Sequence, residues 1–173
     1  MTKKKLEMNK GFTLTETIIY VALFALIITG TLSSVYGILE ANVRNQNKVM
    51  VQEEGAFILG KIDWALTGIS SVGVDLAGKI LTVTKSNPSF NPLVISIDDD
   101  GNVFIERAGG GSKRLNNSNI SVSCAPAGCF ERTLASGDGI NPESISADII
   151  VNSRSSDGTP YSQHFSTIKY LRK

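Results

Sequence analysis

The chain has 173 residues, of which 42% are hydrophobic, and its 17 basic residues nearly balance its 16 acidic ones. This length accommodates one membrane anchor with one small folded domain and argues against two full domains. The excess of positive charge lies in the first ten residues, and the rest of the chain is near neutral. The net charge of the chain therefore gives no reason to expect a nucleic-acid partner. The charged residues of the first ten positions are Lys3, Lys4, Lys5 and Lys10, with only Glu7 against them.

The first predicted element is an apolar helix that follows this basic start. No charged side chain occurs from Thr17 to Leu39, and about 20 apolar residues suffice for a helix to cross a bilayer. The lysines place the N-terminus in the cytoplasm by the positive-inside rule. An ordinary secretory signal has a shorter apolar region of about 7–15 residues and a small-residue cleavage site. The pattern therefore favours an uncleaved anchor or a special leader.

The stretch KGFTLTE places a motif at the start of this helix. A basic leader ends in Gly11 and is followed by Phe12, Leu14 and Glu16, with the long apolar run behind them. This arrangement resembles the class III signal of type IV pilins and pseudopilins. The resemblance implies that a prepilin peptidase cleaves after Gly11 and that Phe12 becomes the N-methylated new N-terminus.

Glu16 is the one acidic residue in this apolar stretch. A carboxylate at the centre of a bilayer costs roughly 2.5–3.5 kcal/mol on insertion scales, so such a group is usually paired or functional. The resemblance implies pairing with the α-amino group of Phe12, in the same or a neighbouring subunit, which sets the axial register of stacked helices. In the alternative, Glu16 belongs to a plain anchor and its side chain extends to the cytoplasmic interface.

The helix is predicted to continue beyond the membrane. From Glu40 to about Leu66 the apolar residues recur at steps of three and four, which indicates an amphipathic segment. A single helix of about 50 residues then ends at Thr67 and Gly68. The apolar stripe comprises Val43, Met50, Val51, Phe57, Ile58, Ile62 and Leu66, and the polar face comprises Arg44, Asn47, Lys48, Glu54 and Lys61. Glycines within the span either loosen the helix or pack against other helices in lipid.

The remainder of the chain is predicted to form strands. Short segments rich in Val, Ile and Thr are separated by turn residues, which predicts a small antiparallel sheet packed on the outer half of the helix. Residues 99–102, DDGN, lie between two apolar runs and are typical of a hairpin turn. The predicted segments are KILTVTK, LVISIDDDGNVFIERA, NISVSCA, SADIIVNS and QHFSTIKYL.

Four features of the sequence are candidates for chemical sites. Cys124 and Cys129 are the only cysteines, and outside the cytoplasm they favour a disulfide that closes a small loop rather than a metal site. The acidic run at 98–100 fails the EF-hand pattern, which leaves a hairpin turn or a non-EF calcium turn. His164 is the sole histidine, with no nucleophile signature near it, and the GGGS stretch at 109–112 precedes no helix. No cofactor, metal or enzymatic activity is predicted.

These observations predict an α+β, type IV pilin-like chain in four parts. They are a leader at 1–11, a transmembrane and assembly helix at 12–39, its amphipathic continuation at 40–68 and an extracytoplasmic β-rich domain at 69–173. The predicted function is that of a minor pilin or pseudopilin in a type IV pilus, a type II secretion system or a competence filament. The alternative is a membrane-tethered binding or adhesin domain that does not polymerise.

Several partners and locations follow from this interpretation. The expected partners are other pilin subunits, the prepilin peptidase, an inner-membrane assembly platform and membrane lipid. Nucleic acid is left open, since a local patch such as Lys113 and Arg114 could bind it despite the neutral body. The precursor is expected to cross the cytoplasmic membrane once, with its N-terminus inside, before it joins the filament.

Overall fold

The computed structural model describes residues 12–87, 89, 91–126, 128–135, 142–154 and 160–171. One helix, α1 (Leu14–Ala65), has 52 residues, which confirms the prediction of a single helix of about 50 residues. The chain divides into two compact units, Met1–Val43 and Arg44–Lys173, and α1 contributes to both. In the second unit, α1 packs on antiparallel sheets, so the coarse α+β layout is confirmed.

The two ends of α1 have identifiable caps. Thr13 precedes the helix, and its Oγ1 accepts a hydrogen bond from the backbone N–H of Glu16 at 3.3 Å. This is the N-cap arrangement that satisfies an otherwise unpaired donor of the first turn. At the other end, Nζ of Lys85 donates to the carbonyl oxygens of Trp64 at 2.8 Å and Thr67 at 3.1 Å. A cation there also complements the helix dipole, and the helix ends at Ala65, just before the predicted stop at Thr67 and Gly68.

Nine strands follow the helix and form two antiparallel sheets rather than the single predicted sheet. Sheet A is a five-stranded meander of β1 (Ile69–Val74), β2 (Ile80–Lys85), β3 (Leu93–Ile97), β4 (Val103–Arg107) and β5 (Lys113–Arg114). Sheet B contains β6 (Ile120–Cys124), β7 (Phe130–Thr133), β8 (Ser144–Ser153) and β9 (Ser162–Tyr170). The sequence segments predicted β2, β3, β4, β6, β8 and β9 and missed β1, β5 and β7.

The centre of sheet B is β8, which has neighbours on both edges. One edge pairs with β9. The other edge pairs with β6 along residues 149–153 and with β7 along residues 144–147. Cys124 lies opposite Ile149 and Phe130 lies opposite Ala147, so β6 and β7 act as one strand interrupted by a short loop.

The core of the second unit lies between α1 and the inner faces of both sheets. Alternate residues of β3 and β8 are buried, as expected for strands with one face on a core. Gly55 of α1 is also buried, because a Cβ there would lie 2.3 Å from Cζ of Phe165 on β9. The fully buried side chains include Val51, Ile58, Ile62, Leu81, Val83, Leu93, Ile95, Val103, Ile120, Ile145 and Ile149.

Two members of the predicted apolar stripe lie outside this core. Phe57 is 46% exposed and Val43 is 37% exposed, so the prediction that they belong to the packed stripe was wrong. Phe57 lines a cavity together with residues of β4 and β5.

A buried amide joins the end of sheet A to the start of sheet B. Oδ1 of Asn116 accepts from the backbone N–H of Val103 at 2.9 Å. Its Nδ2 donates to the carbonyl oxygens of Gly101 at 3.2 Å and Ile120 at 2.8 Å. Asn116 is only 5% exposed, and buried polar groups are stable only when they are paired in this way.

The predicted hairpin turn is confirmed between β3 and β4. Both carboxylate oxygens of Asp98 accept from Asn102, one from its backbone N–H and one from its amide, each at 2.7 Å. Gly101 has a φ of 76°, a conformation that glycine adopts at little cost. Its carbonyl oxygen accepts from the backbone N–H of Val122 at 2.9 Å, so the turn also contacts sheet B.

Candidate functional site

The first candidate site is Glu16, in the first turn of α1. The hydroxyl of Tyr20, one turn later, donates to Oε1 of Glu16 at 3.3 Å. The rings of Phe12 and Tyr20 meet edge to face, with their centroids 5.9 Å apart. Glu16 is the only residue from Phe12 to Gln46 that is half-buried rather than exposed. Its carboxylate therefore has a hydrogen-bond donor one turn along its own helix.

The segment around Glu16 is long and apolar enough to cross a bilayer. One helix of the described residues meets this criterion, with a mean hydropathy of 2.2 in its most apolar window. The large apolar side chains of this stretch are exposed, from Phe12 at 74% to Leu39 at 55%. No side chain lies within 4 Å of the positions that Cβ atoms would take at Gly30 and Gly37. Gly11, the predicted cleavage residue, lies outside the described residues.

The second candidate site is the disulfide between Cys124 and Cys129, whose Cα atoms are 4.5 Å apart. It closes the loop that separates β6 from β7. The backbone N–H groups of Cys129 and Phe130 donate to the carbonyl oxygen of Gly78, at 2.9 and 2.8 Å. The disulfide therefore shapes a loop that links sheet B to the β1–β2 turn of sheet A.

The three aspartates at positions 98–100 all form contacts with other residues of the chain. Asp98 closes the hairpin turn as described above, and Asp99 pairs with Nζ of Lys79 at 2.6 Å. The carbonyl oxygen of Asp100 accepts from Arg154. No group of three or more potential metal-binding side chains occurs within the described ranges. Nε2 of His164 on β9 contacts Oδ1 of Asp148 on β8.

A third candidate site is a cluster of basic and aromatic side chains in the second unit, here called the basic-aromatic cluster. Its members are Phe57, Lys61, Trp64, Lys85, Arg107, Lys113 and Arg114. Nζ of Lys61 lies 5.3 Å from the ring centroid of Phe57, and Nζ of Lys85 lies 4.1 Å from that of Trp64. These distances are typical of cation–π contacts. All members except Lys85 line one cavity of about 290 Å³.

The cluster changes the titration of one of its cations. Partial burial lowers the pKa of Lys85, and the nearby charge of Arg107 lowers it further. Both causes disfavour the charged form of the ammonium group. The cluster thus brings like charges together in a partly desolvated place.

Sequence reasoning found Glu16 and the cysteines but missed three features of these sites. The T-x-x-E pattern of Thr13 and Glu16 is a capping-box signature that could have been read directly. Tyr20 stands four residues after Glu16, the spacing at which helical side chains meet. The convergence of Trp64 with Lys113 required the strand pairing, which the sequence alone does not supply.

Comparisons with known proteins provide no relative for this chain. No protein-family model matches the sequence, and no curated protein or solved structure is significantly similar to it.

Proposed function

We propose that this chain is a minor pilin-like or pseudopilin-like subunit. In this proposal a prepilin peptidase cleaves after Gly11, Phe12 becomes the methylated N-terminus, and the subunit joins a type IV pilus, a type II secretion pseudopilus or a competence filament. The observation that carries it is the motif of Gly11, Phe12, Leu14 and Glu16 placed directly before a 52-residue helix with an apolar first part. The role of the chain is structural rather than enzymatic.

The position of Glu16 supports an assembly role. Removal of the leader places a new α-amino group on Phe12, one helical turn before Glu16. In a bundle of such helices this cation needs an anion, because an unpaired buried charge costs several kcal/mol. Glu16 of the same or a neighbouring subunit supplies that anion and sets the axial register. The expected partners are therefore other pilin subunits, the prepilin peptidase and the inner-membrane assembly platform.

The location follows from the same features. The basic leader holds the N-terminus in the cytoplasm, the apolar part of α1 crosses the cytoplasmic membrane and contacts lipid, and the second unit lies outside. The disulfide between Cys124 and Cys129 agrees with an oxidising compartment. After cleavage the subunit moves into a filament on the cell envelope.

A second candidate function is a tethered binding or adhesin domain that does not polymerise. One observation favours it: Thr13 and Tyr20 already provide the backbone and side chain of Glu16 with partners in its own helix. Glu16 is then a helix-capping residue of a plain anchor, with no intersubunit role.

Mass spectrometry of the N-terminal peptide, from protein made in its own host, separates the two functions. The pilin proposal expects a peptide that begins at Phe12 and carries one added methyl group. A chain that retains Met1, or one that is cut beyond the apolar run, contradicts prepilin processing and leaves the tethered domain. A strain that lacks its prepilin peptidase is the control, because the leader must then remain.

A further inference from the structure

The basic-aromatic cluster is built from two parts of the second unit. Phe57, Lys61 and Trp64 follow one another on α1 at steps of four and three, so they share a face of the helix. Arg107 on β4 and Lys113 on β5 approach from sheet A. These five residues, with Ile105, Arg114 and Leu115, line a cavity of about 290 Å³.

The strand register explains why the sheet cations converge. Lys113 lies directly opposite Ile105 in the β4–β5 pair, and directly opposed residues share a face. Arg107 is two residues from Ile105 on β4, so it lies on that face too. Val103, two residues before Ile105 on β4, lies on the same face and is buried. This face of sheet A is therefore the inner one. Glu106 lies on the opposite face.

The cavity carries positive charge without acidic side chains in its lining. Two nearby acids are accounted for elsewhere, since Asp63 pairs with Lys169 at 2.7 Å and Glu106 points away. Glu53 and Glu54 both stand about one turn before Phe57 on α1 and are the acids that flank the cluster along the helix. The cations that line the cavity repel one another, and this repulsion is stronger because the site is partly desolvated. A bound anion would relieve it.

Two aromatic rings are accessible among these cations. Phe57 is 46% exposed and Trp64 is 39% exposed. A carboxylate or a free phosphate contacts the cations alone and leaves the exposed part of both rings uncovered. Cationic grooves with exposed aromatic rings bind single strands, because phosphates meet the cations while bases stack on the rings.

We propose that the basic-aromatic cluster binds a single strand of nucleic acid. Lys61 and Lys113 contact the phosphates and Phe57 stacks on a base, while the guanidinium carbon of Arg107 lies 5.7 Å from the ring centroid of Trp64. Lys85 acts mainly as a cap of α1, and Arg114 is held by Asn116 and the carbonyl oxygen of Asn117. The site belongs to the second unit alone, so it does not depend on whether the chain polymerises.

The binding test uses the full chain in nanodiscs of neutral phosphatidylcholine and a labelled oligothymidylate of about 15 nucleotides. Fluorescence anisotropy reports binding, and the emission of Trp64, the only tryptophan of the chain, reports contact at the site. The expected result is saturable binding with quenching of Trp64 and a fall in affinity with salt. Poly-glutamate of equal charge is the competitor and is expected to displace the strand poorly.

Matched variants locate the site. Lys113→Gln is expected to reduce the slope of log affinity against log salt by about 0.7, the value for one phosphate contact on a single strand. Lys79→Gln removes one charge just before β2, roughly 20 Å from Lys85 at the other end of that strand, and is expected to have no such effect. Phe57→Ala is expected to weaken binding roughly 5- to 150-fold, while Tyr170→Ala on sheet B is its aromatic control.

Three results would each overturn the proposal: binding without quenching of Trp64, equal weakening by Lys79→Gln and Lys113→Gln, or equal competition by poly-glutamate. Thermal unfolding by circular dichroism verifies that each variant is folded. Because Lys113 is exposed, its variant keeps the test valid even if Phe57→Ala unfolds.

Discussion

The hydroxyl of Tyr20 donates to Oε1 of Glu16 across 3.3 Å, one turn along the same helix. A carboxylate in an apolar segment is costly unless it is paired, and Tyr20 offers a neutral partner before any other subunit is present. In the proposed filament the charged amino group of Phe12 replaces the hydroxyl of Tyr20 as the partner of Glu16. Glu16 then exchanges one hydrogen bond for another during assembly.

This exchange gives the first prediction. Glu16→Ala is expected to abolish filaments while the precursor still enters the membrane, since only the charge partner of Phe12 is lost. Tyr20→Phe removes the competing hydrogen bond, worth about 0.5–1.5 kcal/mol, so assembly is retained or rises by a few-fold. Immunoblots of sheared filaments against membrane fractions measure both. Normal filaments in Glu16→Ala contradict the assembly role, and loss of filaments in Tyr20→Phe contradicts the exchange.

The second prediction concerns two glycines of α1 with opposite surroundings. A Cβ at Gly55 would lie 2.3 Å from Cζ of Phe165, whereas nothing lies within 4 Å of one at Gly60. Gly55→Ala is expected to destabilise the second unit by about 1–3 kcal/mol through overpacking, less the gain in helix propensity. Gly60→Ala is expected only to raise the free energy of unfolding, by about 0.5–1 kcal/mol, through its higher helix propensity. Denaturant unfolding measures both variants, and equal effects contradict this account of Gly55.

The third prediction tests the amide that joins the sheets. Asn116→Ala strands the backbone N–H of Val103 and the carbonyl oxygen of Ile120, whereas the carbonyl oxygen of Gly101 still accepts from the backbone N–H of Val122. Each stranded buried group costs roughly 1–3 kcal/mol, so a large loss of unfolding free energy is expected. Asn117→Ala, at the exposed neighbouring position, is the control and is expected to lose much less. Similar losses in both variants would show that the buried hydrogen bonds do not stabilise the junction.

The fourth prediction concerns stability in acid. Partial burial raises the pKa of Asp75, but the backbone N–H groups of Ile80 and Lys79 outweigh this effect and hold the pKa below 3.8. Burial also raises the pKa of Asp98, but hydrogen bonds from the side chain and the backbone of Asn102 outweigh it and lower the pKa. The unfolded chain therefore takes up protons first as the pH falls, so stability rises with pH through this range.

The contribution of these two carboxylates is complete above about pH 4 and is lost as the pH falls through their lowered pKa values. Asp75→Asn and Asp98→Asn are expected to flatten the acid limb of the stability profile, because neither side chain titrates. Denaturant unfolding between about pH 2 and 7 measures the slope. An unchanged slope in the double variant contradicts the assignment.

The sequence predicted the elements that have a local sequence pattern and missed those that form only by pairing with a distant strand. The helix was predicted because its apolar pattern runs without a break from Thr17, and the β3–β4 hairpin because Asp98 and Gly101 form a turn by themselves. In contrast, β7 has one buried residue, Phe130, followed by three exposed ones, and it exists because β8 pairs with it. The second sheet and the convergence of Trp64 with Lys113 likewise arise from long-range register, which carries no local pattern.

The loop between Cys124 and Cys129 is a natural place to add sequence. Its two ends are held by a covalent bond and by pairing with β8, so the positions of β6 and β7 do not depend on the length between them. Gly128 must stay, because its φ is 108° and a Cβ there would meet Cα of Gly78 at 3.1 Å. Pro126 is exposed in this loop, so the loop presents a surface position between two ends that are fixed to sheet B.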